Sequence, residues 1–368
     1  MRVAFAYILL LAACHQEAKE SVDLGPPPAP RVEVARSGEP INPRLLRRFR
    51  PLDGTPVATE PAAIARVALG TQLFFDPRLS SGGATSCHTC HSFERGGADP
   101  RPTSTGADGA IGRRNAPTVF NAAWHVAQFW DGREPDVEHQ ASGPILNPRE
   151  MAMRSQAAVT EVLRSIPGYA LEFTAAFGAG TIDFVHATQA IAAFERTLRT
   201  PSRWDSYLEG DRHALSGPEL QGLKVFADVG CLECHTGELV GGSMFKRAGE
   251  IVPWPNQADQ GRFEITHEDA DRMVFKVPSL RNATLTGPYF HDGSVATLPE
   301  AVKMMGKHQL GITLTDAEVS SIVAWLGSLT GTQPTIHAPA LPPDGPTTVA
   351  VIADGGSAAG DPGRVLHP

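Results

Sequence analysis

Cysteine is scarce in this sequence, with five residues in 368. Four of them form two CxxCH segments and the fifth, Cys14, follows a short apolar run, so none remains for a disulfide. Long apolar runs are also absent, and little β-strand pattern is visible. Lys and Arg number 32 against 40 Asp and Glu, giving a net charge of −8. This balance excludes nucleic acid and favours a protein partner or a small substrate.

Two five-residue segments carry the chemistry of the chain. They contain Cys87, Cys90 and His91, and Cys231, Cys234 and His235. In each segment, two thiols can form thioethers to the vinyl groups of one haem, and the adjacent histidine becomes the proximal iron ligand. A zinc site would need a compact set of four ligands, whereas these pairs lie far apart in the sequence. The segments therefore predict two covalently bound haem c groups.

The N-terminus predicts export. Residues 3–13 are apolar but too short to span a bilayer, and the sequence from Leu11 to Cys14 resembles a bacterial lipobox. Residues 1–14 are thus interpreted as a signal peptide with a lipobox, and acyl chains on Cys14 would supply the only membrane contact. An ordinary cleaved secretory signal is the alternative. Since bacterial haem attachment follows export, we expect a periplasmic protein.

Helical spacing and capping residues predict a mostly α-helical fold of two cytochrome c-like haem domains with irregular loops. A helix over about 61–75 precedes the first CxxCH, and a capping box of Ser216 and Glu219 opens a helix before the second. A second capping box, Thr315 and Glu318, opens a helix that ends near Leu329. The predicted organisation is a proline-rich tether over 15–60, domains over 61–200 and 201–331, and a disordered tail over 332–368.

An internal repeat separates the roles of the two haems. Residues 117–132 align without gaps with residues 278–293, and six of the sixteen positions are identical. Continuing at the same offset places Met305 opposite Pro144. Methionine is a common sixth ligand of c-type haem iron, whereas proline cannot ligate iron. The repeat therefore predicts a closed His235/Met305 electron-transfer haem and an open first haem. Met305 as core filler and His308 as a competing ligand remain alternatives.

Several segments, in this order along roughly residues 60–331, resemble those of the bacterial di-haem cytochrome c peroxidases. They are LFFDPRLSSGGATSCHTCH, RNAPTVFN, FWDGR, GPILNPREM, FKVPSLRN, YFHDG and the MG of KMMG. The resemblance implies that the N-terminal haem reacts with hydrogen peroxide. It also implies that the C-terminal His/Met haem receives electrons from a small periplasmic cytochrome c or copper protein.

The resemblance also implies catalytic residues around the first haem. Glu150 of GPILNPREM matches the distal acid/base, Gln140 matches an amide that orients peroxide, and Trp130 of FWDGR matches a tryptophan between the haems. Without the resemblance, the sequence favours the interpretation of Glu150 as a solvated charge at a helix start. Trp130 is equally interpretable as an aromatic side chain packed on a haem edge.

Calcium and dimerisation are implied by the resemblance alone. One Ca²⁺ between the domains would be bound by the Asn115 side chain and by the backbone carbonyls of Thr286 and Pro288, with water completing the shell. The family also tends to form homodimers.

The chain departs from many relatives at Ala107, where they carry a histidine that caps the first iron until the second haem is reduced. We therefore expect the first haem to be open at rest. A six-coordinate first haem would implicate His125, Met151 or Met153.

Three functions are weighed on these grounds. The favoured one is a di-haem cytochrome c peroxidase. A specialised oxidase of the same superfamily would act on a protein substrate, but the methylamine-dehydrogenase maturation enzyme carries tyrosine where Met305 stands here. A non-catalytic electron carrier would have two six-coordinate irons and no role for Glu150.

Overall fold

The computed structural model describes residues 41–52 and 58–345, and it confirms a mostly α-helical protein. The α-helices are α1 Pro43–Leu46, α2 Pro61–Phe75, α3 Cys87–Cys90, α4 Val137–Leu146, α5 Gln156–Ser165, α6 Pro167–Phe177, α7 Phe184–Glu195, α8 Arg203–Leu208, α9 Gly217–Asp228, α10 Phe263–Thr266, α11 Leu298–Leu310 and α12 Asp316–Ser328. Two short strands, β1 Phe245–Arg247 and β2 Val274–Lys276, pair antiparallel. The helices predicted before each CxxCH and at the end of the second half are present, with both predicted capping boxes.

The first half packs around the crossing of α2 and α7. Leu69, Leu73 and Phe74 of α2 are fully buried and belong to one hydrophobic cluster with residues of α5, α6 and α7. The crossing is close because α2 has a glycine there: a Cβ on Gly70 would lie 1.8 Å from the carbonyl oxygen of Ala190.

The second half has the same kind of close helix crossing at a glycine, between α9 and α12. A Cβ on Gly222 would lie 1.9 Å from the carbonyl oxygen of Ser321. Trp204 and Trp325 are fully buried beside this crossing, with their ring centroids 5.6 Å apart. Each CxxCH segment thus follows a helix that is held by close contact with a later helix of the same half.

The internal repeat seen in the sequence is also a repeat of backbone conformation. Asn121 and Asn282 have φ values of 60° and 59°, a left-handed conformation that asparagine tolerates better than most residues. Both side-chain amides donate to the same hydroxyl, Thr200 Oγ1, at 2.7 and 2.8 Å. Thr200 therefore links the two copies of the repeat at a point between them.

Reciprocal hydrogen bonds join the two copies. The backbone N–H of Asn115 donates to the carbonyl of His291 at 2.8 Å, and the N–H of Lys276 donates to the carbonyl of Trp130 at 2.8 Å. At the repeat offset that pairs Pro117 with Pro278, the donor residue Asn115 corresponds to Lys276, and the acceptor residue Trp130 corresponds to His291. The two halves are thus related by an approximate twofold symmetry at this contact.

The packed body extends beyond the limits that the sequence predicts. Residues 41–52 fall in the predicted tether, yet Phe49 is 5% exposed between Trp204 and Trp325, because its apolar ring completes the second cluster. In the predicted tail, Pro342 accepts a hydrogen bond from Arg78. The remaining parts of the tether and tail, and the signal with Cys14, lie outside the described residues. Within 41–52 and 58–345, no helix combines the length and apolarity needed to cross a bilayer.

Candidate active site

A cavity of about 500 Å³ lies beside the first CxxCH segment. Its lining includes Cys87, Cys90, His91, Trp130, Gln140, Pro144, Glu150, Glu195 and Lys276. The structure therefore brings together the first haem-attachment residues and all three predicted catalytic residues. Pro144, which occupies the repeat position of Met305, also lines this cavity.

His91 is positioned for metal binding by its local backbone. A capping box of Ser86 and Thr89 starts the single turn of α3, and His91 follows at its end. The Nδ1 atom of His91 lies 3.2 Å from the carbonyl oxygen of Gly97. Such a bond fixes the ring and leaves Nε2 for a metal. Burial lowers the pKa of His91, which favours the neutral, metal-binding imidazole.

The second CxxCH segment has the same arrangement. The Nδ1 atom of His235 lies 3.2 Å from the carbonyl oxygen of Val240, and burial lowers the pKa of His235 to about 4. The four cysteines of the two segments are unpaired thiols, and burial raises the pKa of Cys231 to about 12. Unpaired thiols next to an oriented, neutral imidazole fit the thioether and proximal-ligand chemistry that a haem requires.

Glu150 is a partly buried carboxyl group in the wall of the His91 cavity. Its Oε1 accepts a hydrogen bond from Asn147 Nδ2 at 2.7 Å. Burial raises the pKa of Glu150, against the opposing effects of the Arg133 charge and of the Asn147 bond. The backbone carbonyl of Glu150 accepts a 2.6 Å hydrogen bond from the N–H of Ala107. A carboxyl with a raised pKa in a cavity wall is suited to general acid/base chemistry.

Gln140 and Trp130 occupy different parts of the same wall. Gln140 lies on α4 and lines the cavity. The Trp130 indole Nε1 donates to the carbonyl of Asn115 at 3.0 Å, and its ring centroid lies 6.4 Å from that of His291. Because Trp130 and His291 occupy equivalent repeat positions, this aromatic pair stands at the approximate symmetry axis between the halves.

Met305 lies on α11 and packs against the Trp254, Met273 and Phe275 cluster. His308, the competing candidate, is buried, and its Nδ1 lies 3.0 Å from the carbonyl oxygens of both Val252 and Pro253. These contacts orient His308, and Met305 stays the predicted sixth ligand.

The predicted calcium ligands come from neighbouring loops. Asn115 Nδ2 donates to the carbonyl of Arg101 at 3.0 Å, which leaves the side-chain oxygen for a ligand. Pro288 lines a surface pocket together with Pro100 and Pro102, and the Thr286 methyl group would contact a Cβ on Gly96. The two halves thus meet in this region.

Two buried features of the cavity were not predicted. Lys276 Nζ lies 2.5 Å from His125 Nδ1, and Glu195 contributes a carboxyl that is 4% exposed. Burial raises the pKa of Glu195 to about 8. Lys276 lies within FKVPSLRN, a segment that the sequence singles out, but residue spacing alone could not reveal its partner.

Two attachment segments, two oriented histidines and two equivalent helix pairs define a di-haem protein. The family model of the di-haem cytochrome c peroxidases matches residues 64–213. The cytochrome c551 peroxidase of Nitrosomonas europaea is 47% identical over 288 residues, covering 78% of this chain and 86% of that protein. The cytochrome c551 peroxidase of Pseudomonas aeruginosa is 44% identical over 310 residues, covering 82% and 89%.

A solved structure agrees with the sequence comparison. The crystal structure of a MauG-like protein associated with microbial copper homeostasis has a TM-score of 0.65 and 30% identity, covering 77% of this chain and 93% of that one. This chain belongs to the di-haem cytochrome c peroxidase family.

Proposed function

We propose that the cavity beside His91 is where this chain, a cytochrome c peroxidase, reduces hydrogen peroxide to two waters. The observation that carries the proposal is the position of Glu150, a carboxyl with a raised pKa in the wall of the cavity that His91 also lines. A haem bound through Cys87 and Cys90 would supply the iron that binds peroxide and passes it two electrons.

Glu150 acts as the acid/base group. Its carboxylate takes the proton from the inner oxygen of peroxide and returns it to the outer oxygen, which leaves as water when the O–O bond breaks; two electrons and two further protons yield the second water. The Asn147 hydrogen bond holds the carboxyl in place. Because burial raises the pKa of Glu150, the group is a stronger base than an exposed glutamate.

Gln140 and Trp130 assist in separate ways. The Gln140 amide, on the same cavity wall, orients the bound peroxide by hydrogen bonding. Trp130 is partly buried between the halves and its Nε1 is held by the Asn115 carbonyl. An oxidisable indole fixed at this point assists electron passage toward His91.

Cys231, Cys234 and His235 would hold the haem that receives electrons, and Met305 is the further ligand predicted for its iron. The donor is a cytochrome, and a small copper protein is the alternative. Because the thioether of methionine favours ferrous iron, a haem held in this way would accept electrons readily. Stopped-flow mixing of the oxidised enzyme with each reduced donor class distinguishes them by the rate of haem reduction.

Three further properties belong to the proposal. The enzyme works in the periplasm and is anchored to the membrane by acyl chains on Cys14. Mass spectrometry of the mature protein tests the anchor: an unacylated N-terminal residue beyond 14 would reject it. One Ca²⁺ binds Asn115, Thr286 and Pro288. The enzyme forms a homodimer, which sedimentation of the purified protein tests.

The replacement Glu150→Gln tests the function. It keeps the shape of the side chain but removes the acid/base group, so turnover of peroxide with reduced cytochrome c should fall by about 10²- to 10⁴-fold. Glu161→Gln, an exposed change on α5, is the matched control and should keep wild-type turnover. An unchanged rate in Glu150→Gln, with both haems bound, removes Glu150 from the mechanism.

A specialised oxidase acting on a protein substrate is less well supported. The structural neighbour described as MauG-like is 30% identical, whereas the two relatives named peroxidases are 44% and 47% identical. Met305 also differs from the tyrosine expected of the maturation enzyme. Wild-type enzyme that fails to consume peroxide with reduced cytochrome c would favour the oxidase.

A further inference from the structure

Lys276 ends β2 in the second half of the chain and directs a buried amino group into the wall of the His91 cavity. The residue is 6% exposed, and its Nζ lies 2.5 Å from Nδ1 of His125, which belongs to the first half. The other ring nitrogen of His125, Nε2, is buried without a hydrogen-bond partner. Two basic groups thus meet in the cavity wall, and a buried polar atom beside them lacks a partner.

Arg114, a partly buried cation that lines the same cavity, already has carboxylate partners. Arg114 pairs with Asp131 at 2.5 Å and with Asp259 at 2.6 Å. Asp131 is further shared with Arg133 at 3.0 Å. Among the described residues, no carboxylate forms an ion pair with Lys276. Burial lowers the pKa of Lys276 to about 7, opposed by the charge of Asp131. An anion at this point would restore the charged ammonium.

The repeat gives this point a counterpart. At the offset that pairs Pro117 with Pro278, Lys276 corresponds to Asn115 and His125 corresponds to Thr286. Asn115 and Thr286 are the residues assigned above to a calcium ion. A lysine ammonium in one half therefore stands where the other half is expected to hold a metal cation, so positive charge at this position is common to both copies.

We infer that Lys276, held in place by His125, binds a carboxylate of the haem held by His91. Haem carries two propionate groups, and a charged amine in the cavity wall matches one of them. The inference rests on the proposed haem in this cavity. It assigns to a residue of the second half the task of seating the cofactor of the first half.

The reduction equilibrium of the first haem tests the inference in the holoenzyme. Lys276→Met keeps most of the side-chain length but removes the charge. The propionate is then left unneutralised, which stabilises ferric iron. Spectroelectrochemical titration should show that the equilibrium constant for reducing this haem falls by about tenfold. Lys276→Arg keeps the charge and should stay within about threefold of wild type. Lys246→Met, an exposed change on β1, should leave the equilibrium unchanged because solvent screens its charge.

A second measurement uses the wild-type protein, so it applies even where Lys276→Met fails to fold or to load haem. Resonance Raman spectra in H₂O and D₂O should show an isotope shift in the bending mode of one hydrogen-bonded propionate of the first haem. The inference is overturned if the equilibrium constant for reducing the first haem in Lys276→Met stays within twofold of wild type. It is also overturned if the propionate mode shows no isotope shift. If the reduction potential of the first haem instead changes with the concentration of added formate, Lys276 and His125 form a site for a free anion. Peroxide turnover by the wild type tests the proposed function separately.

Discussion

Among single residues, Glu195 shows most directly what burial does to a charge. This carboxyl ends α7 inside the cavity wall, and desolvation raises its pKa to about 8 against the favourable charge of Arg196. At neutral pH the group is therefore mostly protonated in the folded protein but ionised in the unfolded chain. Folding takes up a proton over this pH range, and the stability of the protein must depend on pH through this residue.

We predict that the contribution of Glu195 to the free energy of unfolding falls by about 1.4 kcal/mol per pH unit as pH rises from about 5 to about 8. Glu195→Gln should remove that contribution and make the protein more stable than wild type at pH 8. Urea unfolding of the holoprotein across this pH range measures it. Glu161→Gln, which is exposed, should keep the wild-type slope; an equal slope in Glu195→Gln contradicts the prediction.

Individual residues were predictable from sequence to very different degrees. Cys87, Cys90 and His91 follow from a short motif whose spacing is set by haem chemistry, and the structure places them together in one cavity. Glu150 required the family resemblance, because a glutamate after Asn147 and Pro148 is equally typical of an exposed helix start. The Lys276–His125 contact joins residues 151 positions apart, and no local pattern encodes it.

At the scale of elements, the two glycines at the helix crossings set the distance between helices. Neither position has room for a Cβ atom. We predict that Gly70→Ala and Gly222→Ala each destabilise the protein by about 2 kcal/mol or more, because the new methyl group forces packed backbones apart. Thermal unfolding measures the change.

Gly327→Ala on α12 is the matched control, since its Cβ would meet no atom within 4 Å. It should stabilise the protein by up to about 1 kcal/mol through helix propensity. If Gly327→Ala destabilised the protein as much as Gly222→Ala does, the close helix crossing would not be the cause of the destabilisation.

The loop around Ala107 determines whether the first iron is capped. Ala107 is 5% exposed and its N–H is bonded to the Glu150 carbonyl, so a side chain added here starts beside the cavity. We predict one high-spin haem in the oxidised wild-type enzyme, by low-temperature EPR. Ala107→His should convert it to low spin and introduce a lag before turnover. Asp108→His, exposed in the same loop, should keep the high-spin signal; a wild type with two low-spin haems refutes the prediction.

The helices were more predictable from the sequence than the segments between and before them. The helices at Pro61–Phe75 and Asp316–Ser328 carry capping or proline signals at their first turns, and the structure has them within one residue of the predicted limits. The sequence predicts residues 41–52 as part of the tether, because the proline-rich sequence around them hides the apolar spacing of Leu45, Phe49 and Leu52. Their burial depends on the tryptophan cluster of the second half, which is distant in sequence.

For the whole molecule, hydrogen bonds and ion pairs such as Arg114–Asp259 join the two halves, and the proposed calcium ion would add to them. We predict that chelation of calcium lowers the unfolding temperature and slows electron transfer between the haems. Asn115→Ala should weaken calcium binding by about tenfold or more, measured by equilibrium dialysis. Asn256→Ala, an exposed change, should bind calcium as the wild type does. Calcium affinity that is equal in both variants excludes Asn115 as a ligand.

The cavity beside His91 is closed in part by Glu264, Ile265 and Lys276, all from the second half. This shared wall bears on the ancestry of the chain. The repeat indicates that a single-haem ancestor was duplicated and fused, and each copy kept its own helix crossing and hydrophobic cluster. Once the later copy supplied part of the earlier copy's reaction chamber, the fusion could no longer be reversed: a gene split near residue 200 would encode a first fragment whose chamber opens to bulk water.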